Sequence, residues 1–336
     1  MWEYLTSAEV LPVIFAGLMG LAILLYVILD GYDLGVGILM SRATAEEKNM
    51  MIASIGPFWD ANETWLVLGI GLLLVAFPLA HGIILSTLYL PVAVLLAGLI
   101  LRGVAFDFRA KAFESHKASW DRAFFGGSLL AALAQGYMLG LYIVGFERML
   151  LNIVFGLLCA VCLAAGYAFI GACWLILKTE GELQVKAARW ARLCLWMTAI
   201  GLAAVSMATP LVSARMFEKW FSLPNLFFLL PVPVLTGLLI LGLDRLLARM
   251  PLPADDYYWL PFVGAVGLFA LGFLGLAYSF YPFVIIDKLT IWQAASAPES
   301  LAFILVGALI VIPFILGYTV YAYWVFWGKV RELTYY

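Results

Sequence analysis

Charge is what this chain has least of. Only 12% of its 336 residues are Asp, Glu, Lys or Arg, while 65% are hydrophobic. A soluble domain carries roughly a quarter charged residues, so a water-soluble globule is excluded. Histidine is nearly missing, with His81 and His116 the two copies. Neither falls inside a long apolar run, and haem iron usually takes an axial His, Cys, Met or Tyr in a shaped pocket. Met138, Met197 and Met207 do lie in apolar stretches, where methionine ordinarily packs. The chain alone is therefore unsuited to hold a multi-haem redox centre. Cysteine is scarce as well: Cys159, Cys162, Cys173 and Cys194 all sit in apolar segments. The Cys159-x-x-Cys162 spacing has the form of a redox or zinc motif, but within a spanning helix it reads as a pair of small packing residues. No basic stretch precedes the first apolar run, so no cleavable signal peptide is expected. No linker, low-complexity tract or repeat divides the chain.

What is plentiful is long apolar sequence. Several runs exceed the ~18 residues that mark a membrane-spanning helix, and they do not alternate as β-barrel strands do. Nine spans are expected, at about 9–30, 58–77, 83–101, 124–144, 150–177, 193–213, 225–243, 258–280 and 301–327. The fold class is an all-α integral membrane protein in a single membrane domain. With the N-terminus outside, fifteen of the 19 Lys and Arg residues fall in inner segments, including Lys329 and Arg331. The outer set is Arg148, Arg215, Lys219 and Lys288. Basic residues concentrate on the cytoplasmic side, so the expected N-terminus is periplasmic and the C-terminus cytoplasmic. Aromatic residues gather at segment ends, among them Trp2, Tyr4, Trp59, Trp65 and Trp120, as an interfacial belt.

The few acids gather in one seam. The first apolar run ends in Asp30-Gly31-Tyr32-Asp33-Leu34-Gly35-Val36-Gly37, and the second opens with Pro57-Phe58-Trp59-Asp60-Ala61-Asn62-Glu63-Thr64-Trp65. The expected topology places Asp30 and Asp33 at the cytoplasmic end of the first helix and Asp60 and Glu63 near the start of the second. The third run ends at Arg102, followed by Phe106-Asp107-Phe108-Arg109. Each acid pair is spaced i, i+3 and so shares a helix face. For Asp33 and Glu63 the favoured reading is an interfacial charge paired with arginine, helped by the second helix's dipole. Asp60 differs. It is flanked by bulky apolar residues, and a short aspartate cannot snorkel as lysine does. A carboxylate buried in the membrane costs about 2.5–3.5 kcal/mol on insertion scales and marks function by default, so Asp60 is expected to be a buried proton-handling residue. The glycines of residues 31–37 follow no strand and make no phosphate loop; they read as close-packing positions.

Further along, Pro231 and Pro233 are expected to kink the seventh span, and Pro282 to end the eighth. The stretch from Leu289 to Ser300, with Trp292, is expected on the surface or against a partner.

These motifs, together with Arg102-Gly103-Val104-Ala105-Phe106-Asp107-Phe108-Arg109 and Tyr281-Pro282-Phe283, resemble those of subunit II of the bacterial cytochrome bd-type quinol oxidases, over the whole chain. The compact length and the Pro57-Phe58-Trp59 variant point to the cyanide-insensitive branch. The resemblance implies two four-helix bundles, at about 9–144 and 150–280, plus a peripheral last helix at about 301–327. It implies a bacterial cytoplasmic (inner) membrane location and a haem-bearing partner, subunit I, that holds haems b558, b595 and d and oxidises quinol. Quinol and oxygen would reach this chain only through that partner; lipids are neighbours and nucleic acid is not. Some relatives hold a structural quinone in this subunit or add small single-helix accessory subunits. The family's proton-uptake aspartate matches Asp60, with Asp30, Asp33, Glu63, Arg102 and Asp107 as its supporting polar cluster. External loops are short here, and Gln293 stands where some relatives have an acid. The rival from another class is a stand-alone proton-coupled secondary transporter. Such proteins place their site near the midplane, where this sequence has few polar residues. A purely structural scaffold with interfacial acids is the third option.

Overall fold

The structure is a computed structural model describing residues 5–147, 149–250 and 257–330. The expected belt residues Trp2 and Tyr4 and the basic residues Arg148 and Arg331 lie outside the described residues. Among those described, nine helices are long and apolar enough to cross a membrane. In chain order the elements are α1 (Leu11–Leu39), a 3-10 turn (Met40–Arg42), α2 (Ala45–Ile55), α3 (Trp59–Ala76), α4 (Pro78–Thr87), α5 (Tyr89–Lys111) and α6 (Glu114–Ile143). There follow α7 (Leu150–Lys178), α8 (Gly181–Val212), α9 (Ala214–Phe221), α10 (Asn225–Leu229), α11 (Pro231–Leu247) and α12 (Leu260–Phe280). The chain closes with strands β1 (Phe283–Ile285) and β2 (Leu289–Thr290), then α13 (Ile291–Ala294) and α14 (Pro298–Val325). The spans are α1, α3, α5, α6, α7, α8, α10 with α11, α12 and α14.

Helix α7 is the hub, packed on α1, α6, α8 and α12. Small residues let it come close. A Cβ on Gly35 would stand 1.8 Å from the Tyr167 carbonyl oxygen, and Gly171 faces the same crossing. Helix α1 also packs on α3 and α6. Cys159 fits against Gly140 and Cys162 against Gly201, and all four cysteines are free. The outer faces of α11 and α14 stay apolar and exposed, as helices facing lipid tails require.

Three expectations need correction. The first helix does not end at residue 30. It runs on to Leu39, because Gly31, Gly35 and Gly37 are held against Tyr167, Gly171 and Ser128 rather than left to fray. Asp30 thus lies about 14 Å of helix axis from Leu39, inside the bundle and not at its rim. The sixth span begins at Gly181, not near 193. Its early charges find partners: Lys186 pairs with Glu47 at 2.6 Å and Arg192 with Asp244 at 2.7 Å. The seventh span, Asn225–Leu247, is interrupted at Leu230 just before Pro231, in line with the expected proline kink, and Pro231 starts the second helix at a position where its missing N–H costs nothing. The Leu289–Ser300 stretch folds under the chain's own end. Ile291 and Ala294 are buried, and Ser296 donates its amide to the Ala76 carbonyl at 2.9 Å. Helix α12 does stop just before Tyr281-Pro282.

Candidate functional site

Where α1, α3 and α5 meet, the protein buries an ionic cluster. Arg102 is 1% exposed, and Asp30 and Asp33 are fully buried. Arg102 Nη2 lies 2.7 Å from Asp30 Oδ1 and also donates to Glu63 Oε1. The Glu63 side chain is 27% exposed, so the cluster touches the chain's surface through it. Trp59 covers the guanidinium, its ring centroid 5.9 Å away. Helix α6 reaches the arginine because Gly127 faces it: a Cβ there would stand 2.8 Å from the Arg102 nitrogen. The cluster is under-bonded. Among the described residues neither Asp30 oxygen accepts an aligned hydrogen bond, and Asp33 Oδ1, Arg102 Nε and Arg102 Nη1 have no hydrogen-bond partner.

A neutral network surrounds it. Asn62 Nδ2 donates to Asp33 Oδ2 at 2.8 Å and to the Tyr32 hydroxyl at 2.9 Å. The Tyr323 hydroxyl on α14 donates to Asn62 Oδ1 at 3.3 Å and shares a 2.6 Å hydrogen bond with Tyr32. Because the single Tyr323 hydroxyl proton is given to Asn62 Oδ1, the consistent ring has Tyr32 donating to Tyr323. Deeper in the bundle, Tyr167 donates to Gln135 Oε1 at 2.6 Å and Gln135 Nε2 donates to the Tyr26 hydroxyl at 2.8 Å. Tyr26 is in turn the polar neighbour of Asp30. None of Tyr32, Tyr323, Tyr26, Gln135 or Tyr167 was among the expected site residues. The available signal was a polar side chain inside an apolar span, which is functional by default.

Two expected members stand apart. Asp60 is exposed on the chain's outer face rather than buried, and so is Asp107. Helix geometry is the reason. On α3 the buried stripe is Asn62, Trp65, Gly69, Leu72 and Ala76, and Asp60 lies about 200° around the axis from Asn62. On α5 the buried face holds Arg102, Ala105, Phe106 and Arg109, and Asp107 lies about 140° from Arg102. Asp60 does stand in the first turn of α3, where the helix dipole favours an acid.

A cavity of about 280 Å³ lies beside this network, walled by Phe58, Trp174, Tyr258, Trp259, Tyr323 and Trp327 with Lys178 and Lys329. The lysines cross over. Lys178, ending α7, donates to the Phe326 and Gly328 carbonyls at 2.6 and 3.0 Å. Lys329, following α14, donates to the Ile176 and Thr179 carbonyls at 3.4 and 3.2 Å. Each ammonium thus satisfies carbonyls at the other helix's C-terminus, and the last helix is pinned over the Tyr323 ring.

Comparison with known proteins places this arrangement. The profile of the family described as cytochrome bd terminal oxidase subunit II matches residues 11–326. The chain belongs to that family. It is 29% identical to cytochrome bd-I ubiquinol oxidase subunit 2 of Escherichia coli strain K12, covering 96% of each chain. It is 28% identical to cytochrome bd ubiquinol oxidase subunit 2 of Bacillus subtilis strain 168, covering 90% of this chain and 92% of that one. The bd oxidase structure from Geobacillus thermodenitrificans shares the fold, with a TM-score of 0.66 at 7% identity, over 94% of this chain and 99% of that chain. A subunit II is a multi-pass membrane protein of a respiratory oxidase complex that contains a subunit I. The stand-alone transporter has no observation in its favour. Among the described residues His116 is exposed, His81 lies on the short helix α4, and no three His, Cys, Asp or Glu side chains converge as a metal site.

Proposed function

We propose that this subunit II supports the haem-bearing subunit I in the bacterial cytoplasmic membrane and lines the route by which cytoplasmic protons reach the oxygen-reducing site. The chain is read with its N-terminus periplasmic and its C-terminus cytoplasmic, as two four-helix bundles with α14 peripheral. Haems b558, b595 and d, quinol oxidation and oxygen belong to subunit I. Reduction of oxygen to water consumes protons. If these come from the cytoplasm while quinol protons leave outside, the complex builds a gradient without a pump.

Asp60 is the proton-receiving residue in this proposal. The supporting observation is its placement: an exposed carboxylate three residues before Glu63, on the first turns of a helix whose other side holds the buried Arg102 cluster. Such a face suits contact with subunit I, and docking there would bury Asp60, as its flanking aromatic residues suggest. Asp30, Asp33 and Arg102 set the local field behind it, and Asp107 shares the exposed surface. Asp60→Asn is expected to slow quinol-driven oxygen uptake while haem content stays at the wild-type level. Normal oxygen uptake and proton release in that variant would sink the relay role.

A further inference from the structure

Three carboxylates surround one guanidinium in the buried cluster, which is more acid than an ion-pair lock needs. Asp30 and Glu63 both contact Arg102 Nη2, and Asp33, one helical turn from Asp30, contacts Asn62 but no cation. Among the described residues Arg102 is the single basic group in ion contact with these acids. The next arginine on the helix, Arg109, is committed to Asp121 and Asn49. Excess negative charge held away from water is costly unless it is paired or carries protons. Asp33 Oδ1 is fully buried and has no hydrogen-bond partner among the described residues, so a lone pair is free to take a proton.

We infer that Asp30, Asp33, Glu63 and Arg102 form a proton-holding station, with Glu63 as its exchange port and Asp33 Oδ1 as its buried acceptor. This rests on the proton-uptake function proposed above and adds a second residue to it, behind Asp60. Glu63 is the port because it is the one acid of the three that is both bonded to Arg102 and partly exposed. A proton taken up on the Glu63 carboxylate reaches Asp30 in a concerted shift at Arg102 Nη2, which gives an N–H proton to Asp30 as it takes one from Glu63, and it passes from Asp30 to Asp33 one helical turn along α1. The donor returns to a carboxylate and the acceptor becomes a carboxylic acid, so one proton moves, total charge is conserved and nothing is oxidised. Arg102 stays charged throughout and limits how far apart the protonated and ionised forms lie in energy.

The groups facing the station are few. Helix α1 presents Tyr26 and Tyr32, α3 presents Asn62 with Asp60 on its outer side, and α5 presents Arg102. Gln135 comes from α6, Tyr167 from α7 and Tyr323 from α14. Among the described residues only the acids and Arg102 carry charge there. The amide of Asn62 is a poor proton carrier, so the tyrosine ring acts to hold Asp33 in place rather than to feed it.

The test compares Glu63→Gln, Asp33→Asn and Asp60→Asn in the intact oxidase complex. Glu63→Gln is expected to slow oxygen reduction about tenfold or more, with haem content unchanged and the pH profile of turnover displaced. Infrared difference spectra between high and low pH are expected to show a carboxylic-acid carbonyl band that Asp33→Asn removes. Wild-type turnover with an unchanged pH profile in Glu63→Gln overturns the port. If Asp60→Asn is slow at the same time, the uptake route through Asp60 still stands; if Asp60→Asn is also normal, that route fails with it. Should Glu63→Gln lose its haem, the infrared arm decides, because a wild-type spectrum without an Asp33-dependent acid band overturns the station.

Discussion

Two arginines on α5 stand about two turns apart and are held in opposite ways. Arg109 shares a single acid: its Nε lies 2.5 Å from Asp121 Oδ1, its Nη2 donates to Asn49 Oδ1 at 2.9 Å, and Lys48 approaches Asp121 Oδ2 at 3.3 Å. That group has more base than acid, and its members reach the end of the bundle where Lys48 is 22% exposed. Arg102 has the reverse balance, three acids to one base, with bare donors and acceptors in its interior. The first arrangement is what tying two helix ends together requires. The second is worse for stability than a matched pair, and a fold that keeps it at the meeting of three spans is using it for something other than cohesion.

The sharpest way to break this comparison is to remove each arginine in turn. Arg102→Met leaves buried acids with no counter-ion and is expected to cost about 3–5 kcal/mol, enough to abolish assembly. Yield of haem-bearing complex and its thermal midpoint measure it. Arg109→Met leaves Lys48 on Asp121 and is expected to cost only about 1–2 kcal/mol, with assembly intact. Equal losses would mean that both arginines are plain locks. Asp33→Asn sharpens the contrast from the acid side. It keeps an oxygen for Asn62 Nδ2 and removes one surplus charge, so its stability is expected to match wild type to within about 1 kcal/mol, read from the thermal midpoint, while turnover falls. A large stability loss in Asp33→Asn would make that carboxylate structural.

The number of spans was legible because composition writes it: each is a long apolar run, and the seams between runs carry most of the charge. The site was legible as a set of residues and not as a geometry. Asp30-Gly31-Tyr32-Asp33 looks like a helix end, since glycine and aspartate weaken helices in isolation. It continues as helix because α7 supplies Tyr167 and Gly171 more than a hundred residues later, a fit no local pattern announces. Tyr323 is likewise invisible from the motif it completes, 291 residues from Tyr32. The outward turn of Asp60, by contrast, could have been read. The stripe Asn62, Trp65, Gly69, Leu72 recurs every three to four residues and leaves Asp60 on the far side.

Outside the membrane-spanning segments a third ion pair follows simpler rules and gives the smallest effect. Glu47, third residue of α2, is pushed up by burial, but hydrogen bonds from Lys186 and from the Thr44 amide outweigh this and hold its carboxyl below the ordinary value. Thr44 Oγ1 accepts from the Glu47 amide at 3.3 Å, closing a capping box. A depressed carboxylate contributes stability that is full above its unfolded value of about 4.3 and fades as pH falls through the lower folded one. Acidification from about pH 6 to about pH 3.5 is therefore expected to loosen α2 from α8 by on the order of 0.5 kcal/mol, seen as lower amide protection across α2 once each rate is divided by the intrinsic rate at that pH. Glu47→Gln should exchange faster at the higher pH and lose that acid dependence. If the variant keeps the full acid sensitivity, the titrating group lies elsewhere, and the Arg102 cluster, joined to α2 through Phe58 and α3, becomes the first place to look.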